Sequence, residues 1–182
     1  MDGAALLIFC RWSIGLTFAV SALGKAVAMG SFRDAIADFG LLPARPTGLF
    51  ARLLAGAVVG AEGLVAAFEA AGGVLASAGF ALALTLLAGF SAILARALRK
   101  KANVSCNCFG ASQRKISWFD VARNALLALC CAGGLWTAAD GTAVRLSAGL
   151  GLALGLVAAG FVIAVTALED ITVMLRKPHL AE

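Results

Sequence analysis

Charged residues are scarce in this sequence: they make up 14% of its 182 residues, against about 25% in an average soluble domain. Hydrophobic residues make up 62%, and no polar stretch is long enough to hold a soluble enzyme domain. The alternating short strands of an outer-membrane barrel are also missing. The apolar residues instead form runs of about twenty, the length that an α-helix needs to cross a bilayer. The composition therefore predicts a helical membrane protein.

Five apolar runs predict five membrane-spanning helices in a single integral membrane domain, residues 1–182. The predicted spans are about 4–24, 50–71, 74–95, 117–138 and 146–168. We expect an all-α polytopic bundle in which four spans form the core and the fifth packs at the periphery. Between the first two spans, apolar residues recur at helical spacing before Pro43 and Pro46, which predicts a short amphipathic helix in the membrane interface.

Basic residues outnumber acidic residues by 15 to 10. They lie mainly in short connections, where the lipid bilayer and topology signals explain them, so nucleic acid is not an expected partner. The connection at 25–52, the hydrophilic loop at 96–115 and the C-terminal tail share one side and hold most of these residues. The positive-inside rule therefore predicts that the hydrophilic loop faces the cytoplasm.

Cysteine is scarce too, and five dispersed residues do not make a secreted disulfide scaffold. Cys106 and Cys108 lie in the hydrophilic loop, and a pair separated by one residue can close a small, strained disulfide of the kind used in exchange. The flanking basic residues favour the thiolate. Two ordinary free thiols and capture of a soft ion such as Cu(I) are the alternatives. With one histidine in the chain, no closed zinc site and no metal ligands are predicted.

The other three cysteines, Cys10, Cys130 and Cys131, lie inside predicted spans. As small apolar residues they suit helix packing. Cys10 and Cys130, however, lie at similar depths, about 9 and 12 Å from the predicted outer ends of their spans at about 1.5 Å per residue. This depth permits a second redox pair, with Cys131 as a further candidate.

Ionisable residues inside the spans also require an explanation, because they are costly in a bilayer and are usually paired. Arg11 and Glu62 lie about 10 and 13 Å below the predicted outer boundary, so we expect an ion pair between them. Glu69 follows Glu62 by two turns on the same helix face. Arg123 and Asn124 open the fourth span. These residues either lock the bundle or line a path for a quinone or for protons.

Several of these features occur together in a known family. In order, they are Lys25, Phe32, Leu41-Leu42-Pro43, Glu62, Cys106-x-Cys108-Phe109-Gly110 and Arg123-Asn124. With them the chain resembles the methylamine-utilisation protein MauE family, within the wider group of small DoxX-like helical membrane proteins, over most of its length. The Cys-x-Cys-Phe-Gly motif between the third and fourth spans is the specific part of the resemblance.

The resemblance implies a multi-pass protein of the bacterial inner membrane. Such a protein helps to mature the small subunit of methylamine dehydrogenase, a disulfide-rich periplasmic quinoprotein, together with a thioredoxin-like partner. Cys106 and Cys108 would then be the exchanging pair of a possible thiol-disulfide oxidoreductase, for which a membrane quinone is a possible cofactor in one of the two mechanisms below. A general thiol-disulfide role is equally compatible. A small carrier for a soft metal ion and a non-catalytic assembly factor are the alternatives.

The resemblance and the charge distribution disagree on sidedness. A periplasmic substrate places the cysteine loop outside, whereas the basic residues place it inside. Two mechanisms follow. In one, the loop exchanges disulfides at the periplasmic face and electrons pass to or from a quinone. In the other, the chain relays reducing equivalents across the bilayer through its intramembrane cysteines.

Overall fold

The computed structural model describes residues 3–38, 48–100, 116–139 and 148–176, with side chains in the last range described for residues 149–165. All of the regular structure in these ranges is α-helical. The helices are α1 Gly3–Val27, α2 Met29–Asp38, α3 Gly48–Ala71, α4 Val74–Arg99, α5 Trp118–Ala139 and α6 Ala148–Arg176.

Helices α1, α3, α4 and α5 are long and apolar enough to cross a membrane. The shortest of them has 22 residues, which at about 1.5 Å per residue exceeds the thickness of the hydrocarbon core. Helix α6 contributes a shorter apolar segment, Gly149–Val165. The predicted all-α membrane bundle, with four core spans and a fifth apolar helix, is therefore confirmed, and the chain is a multi-pass membrane protein.

The bundle is organised around α1, which packs against α3, α5 and α6. Helix α4 completes a four-helix ring because it packs against both α3 and α5. Helix α6 lies outside this ring and packs against α1. There the rings of Phe9 and Phe161 meet edge to face with their centroids 5.6 Å apart. The fifth apolar helix is therefore peripheral, as predicted.

The hydrophobic core of the four-helix bundle includes one close approach between α4 and α5. Phe80 of α4 is fully buried, and its ring lies against Gly134 of α5, where no side chain intervenes. Ile14, Val65 and Leu127 complete the same core from α1, α3 and α5. Small residues at such contacts let helices approach in a membrane, where lipid supplies no hydrophobic drive between them.

Helix α2 packs against α3. Phe32 and Ile36 of α2, one turn apart, pack with Ala55 of α3, so the predicted amphipathic helix is present at residues 29–38.

The connection between α3 and α4 is a two-residue turn. Gly72 and Gly73 join the two helices with φ angles of 75° and 59°. Glycine adopts these left-handed angles without steric cost. The tight connection predicted between the second and third spans is thereby confirmed.

We expect Gly134→Ala to lower the thermal stability of the purified protein, because the added methyl group would overlap the Phe80 ring. Overpacking of a core typically costs about 1–3 kcal/mol. Gly133→Ala is the matched control, since a methyl group there meets nothing within 4 Å. The measurement is the unfolding midpoint of each variant in one detergent. Equal midpoints for the two variants would contradict the described packing.

Candidate functional site

A buried ion pair joins α1 to α3. Lys25 Nζ lies 2.6 Å from Glu62 Oε1, and the two side chains are 2% and 1% exposed. The hydroxyl of Ser21, one turn before Lys25, donates a hydrogen bond of 3.1 Å to the same carboxylate oxygen. The pairing offsets the cost of holding each charge inside a membrane bundle. We call Ser21, Lys25 and Glu62 the ion-pair cluster.

Aromatic rings from two further helices surround the ammonium group of Lys25. Its Nζ lies 5.5 Å from the ring centroid of Phe32 in α2 and 5.4 Å from that of Phe90 in α4. Both distances suit a cation–π attraction. Through its side chain, Lys25 therefore connects α1 with α2, α3 and α4.

Helix α5 brings Arg123 and Asn124 to the same end of the bundle. Both line a cavity of about 30 Å³ together with Lys25 and Glu62. Arg123 also lies 3.4 Å from Asp120, whose other carboxylate oxygen accepts a hydrogen bond from the backbone N–H of Ser117. An acid in the first turn also complements the helix dipole. The predicted polar pair thus helps to position the start of α5 beside the ion-pair cluster.

Two thiols lie near each other towards the other end of the bundle. Cys10 of α1 and Cys130 of α5 are free cysteines that pack in the same core cluster, and their side chains interact electrostatically. Cys10 is 1% exposed, whereas Cys130 is half-buried. Positions 10 and 25 of α1 are about 22 Å apart along the helix axis, so these thiols are well separated from the ion-pair cluster. We call Cys10 and Cys130 the thiol pair. Cys131 instead packs, fully buried, in the core.

Glu69 places a buried carboxylate near the thiol pair. Its side chain is 3% exposed, and its Oε1 atom lies 2.7 Å from the point where a Cβ on Gly79 of α4 would be. The absence of a side chain at Gly79 leaves room for the carboxylate, which interacts electrostatically with Cys10 and Cys131. Among the described residues, neither oxygen of this carboxylate has a hydrogen-bond partner. Buried polar groups are rarely left in this state.

Most of the chain matches the family model of the methylamine utilisation protein MauE, which aligns with residues 3–137. The chain belongs to the MauE family. The match runs from α1 to the last turn of α5, so the family region contains the ion-pair cluster, the thiol pair and Glu69. Membership connects this MauE-family chain with methylamine utilisation. No curated protein and no solved structure gives a significant match.

The predicted ion pair between Arg11 and Glu62 is wrong. Glu62 pairs with Lys25. Arg11 donates instead to the backbone carbonyl oxygen of Glu69, from Nε at 3.2 Å and from Nη2 at 2.7 Å. Glu69 lies in the last turn of α3, where carbonyl groups lack partners within the helix and attract a cation. Arg11 therefore stabilises a helix end rather than a side-chain charge.

Sequence reasoning missed Lys25 as the partner of Glu62 because it assigned this lysine to the connection after the first span. In the structure α1 continues to Val27, so Lys25 is a helical residue. Ser21 and Lys25 are four residues apart and therefore share a helix face. This spacing is the signal that could have identified the cluster.

The predicted exchange pair, Cys106 and Cys108, lies outside the described residues. The preceding helix α4 ends at Arg99 and the following helix α5 begins at Trp118. Both of these helix ends are on the side of the bundle that holds the ion-pair cluster, since Phe90 and Asn124 surround that cluster. The exchange role of the two loop cysteines stays a prediction.

We expect Lys25→Met and Glu62→Gln each to destabilise the protein by about 3–5 kcal/mol, because each leaves one buried group without its partner. The double variant should recover most of this loss. Arg52→Met, which removes an exposed positive charge from α3, is the control and should have little effect. Unfolding in a denaturing detergent titration measures all four variants. A double variant that loses the sum of the two single losses would contradict the pairing.

Proposed function

We propose that this MauE-family protein is a thiol-disulfide exchange protein of the bacterial inner membrane that supports maturation of the disulfide-rich small subunit of methylamine dehydrogenase. The packing of Cys10 and Cys130, from α1 and α5, in one core cluster where their thiols interact is the observation that carries the proposal. Two neighbouring thiols can form a disulfide and release two electrons and two protons. Family membership supports the choice of pathway.

In this proposal, Cys106 and Cys108 exchange with a thioredoxin-like partner. One loop thiolate attacks the partner's disulfide, and the second thiol then resolves the mixed disulfide. The partner leaves as a dithiol and the loop becomes a disulfide; the reverse sequence moves electrons the other way. The basic residues that flank the loop cysteines in sequence favour the attacking thiolate.

A soft-metal carrier and a non-catalytic assembly factor are the competing functions. Paired thiolates suit soft ions such as Cu(I). The packing of Cys10 and Cys130 in one core cluster supports redox chemistry, because two neighbouring thiols can form a disulfide.

The combined variant Cys106→Ser/Cys108→Ser should abolish growth on methylamine when it replaces the natural protein in its host, because the exchanging sulfurs are lost. The variant should still accumulate in the membrane, because the sequence places both cysteines in a hydrophilic loop between apolar spans. Growth rate and the disulfide content of the dehydrogenase small subunit, determined by mass spectrometry, are the measurements. Ser112→Ala in the same loop is the control and should grow normally.

Full maturation of the small subunit in the double-serine variant would reject the exchange role. A non-catalytic assembly factor would then account for the requirement. Stoichiometric binding of Cu(I) by the wild type, together with a small subunit whose disulfides form normally in the variant, would identify the metal carrier.

We expect Cys106 and Cys108 to face the cytoplasm, because the hydrophilic loop at 96–115 holds 6 basic residues and no acid. In a variant with serine at positions 10, 130 and 131, a membrane-impermeant maleimide should label the loop cysteines only after the cells are permeabilised. In that orientation the loop meets cytoplasmic reductants, and the thiol pair passes electrons outward. Labelling of intact cells would place exchange at the periplasmic face instead.

A further inference from the structure

The thiol of Cys130 lies deep within the membrane-spanning part of α5. Position 130 is about 13 Å from the helix end at Ala139. Leu126, one turn earlier on the same face, is 42% exposed, so this face of α5 borders hydrocarbon. A lipid-soluble oxidant reaches this depth directly, because it diffuses in the hydrocarbon that Cys130 faces.

Cys10, the second thiol of the pair, is closed off from lipid and water. It is 1% exposed and packs with Ile14, Phe80 and Leu127. Formation of a disulfide requires removal of its proton, and that proton needs an acceptor inside the bundle. The apolar side chains around Cys10 offer none, and Cys130 loses its own proton in the same reaction.

Glu69 is placed to accept this proton. Its carboxylate interacts electrostatically with Cys10, and neither oxygen has a hydrogen-bond partner among the described residues. The groups with charge or a titratable proton that face Glu69 from the packed helices are Arg11 and Cys10 of α1 and Cys131 of α5. Arg11 binds the backbone carbonyl of Glu69 and not its carboxylate. The carboxylate therefore has acceptor capacity that no ion pair uses.

The position of Glu69 also provides a route for the proton to leave. Glu69 is about 3 Å from the end of α3 at Ala71, close to the membrane surface. With Arg11 it lines a cavity of about 780 Å³ between α1, α3 and α6. Glu69 thus lines this cavity and also acts electrostatically on the buried thiol of Cys10.

We propose that the thiol pair reduces a lipid-soluble quinone and that Glu69 accepts the proton of Cys10. This inference rests on the proposed redox function and names its electron acceptor. Two S–H bonds break, one S–S bond forms between Cys10 and Cys130, and two electrons pass to the quinone. The resulting quinol takes one proton from Cys130 and one from water at the membrane surface. Glu69 transfers the Cys10 proton to that water, so protons and electrons balance.

The quinone step is tested with purified protein carrying Cys106→Ser and Cys108→Ser, so that the loop thiols do not contribute. The protein is reduced, reconstituted in liposomes and mixed with decylubiquinone. We expect loss of about one quinone per protein, followed by absorbance, and a Cys10–Cys130 disulfide identified by mass spectrometry. Adding Cys130→Ser should abolish both signals, whereas Cys131→Ser should retain both. Undiminished quinone loss in the Cys130→Ser protein, or a disulfide that includes Cys131, would overturn the assignment.

The role of Glu69 is tested in the same assay with Glu69→Gln. We expect the rate to fall about a hundredfold, within the range typical of general base catalysis, with an unchanged unfolding midpoint. The wild-type rate should rise with pH as the carboxylate loses its proton, and the glutamine variant should lose that limb of the profile. Glu69→Asp should restore part of the rate. A folded Glu69→Gln protein with the wild-type rate and pH profile would overturn the role of Glu69.

This assay needs neither the loop cysteines nor methylamine metabolism, so its outcome is separable from that of the proposed function. If purified protein fails to reduce the quinone while the loop variant abolishes maturation in cells, the quinone step is overturned and loop exchange stands. If the quinone is reduced while the loop variant matures its substrate fully, the quinone step stands and loop exchange is overturned.

Discussion

The ion pair between Lys25 and Glu62 is the constraint on which the arrangement of the helices depends. A buried pair adds little net stability compared with well-packed apolar residues, because desolvation offsets most of the attraction. Its effect is on register, because the Glu62 carboxylate of α3 has to lie opposite the Lys25 ammonium group of α1. The rings of Phe32 and Phe90 enclose that ammonium group. One interaction therefore aligns four helices at one end of the bundle.

Glu62 and Glu69 lie two turns apart on the same helix, yet their environments differ. The carboxylate of Glu62 contacts an ammonium group and a hydroxyl. Glu69 is also buried but lies near thiols, and neither of its carboxylate oxygens has a hydrogen-bond partner among the described residues. Two acids whose environments differ in this way commonly have different roles. Here one acid joins two helices, and the other is the proton acceptor that we propose.

Much of this architecture is present in the sequence, because a helix that crosses a bilayer has to be long and apolar and the turns between such helices have to be polar or rich in glycine. The spans, the Gly72-Gly73 turn and the similar depth of Cys10 and Cys130 follow from those requirements. The partner of Arg11 does not, since it is a backbone carbonyl and every residue has one. The direction of the Glu69 side chain depends on space at Gly79 in another helix, which no local pattern encodes.

The bond from Arg11 to Glu69 is made to the backbone carbonyl, so it does not depend on the side chain of Glu69. The guanidinium fixes the peptide group at the end of α3, while neither carboxylate oxygen of the same residue has a hydrogen-bond partner among the described residues. Substitution of Arg11 would remove both this anchor and a nearby positive charge, whereas substitution of Glu69 would change the acid and leave its anchor in place. The position of this residue can therefore be kept while its side-chain chemistry is changed.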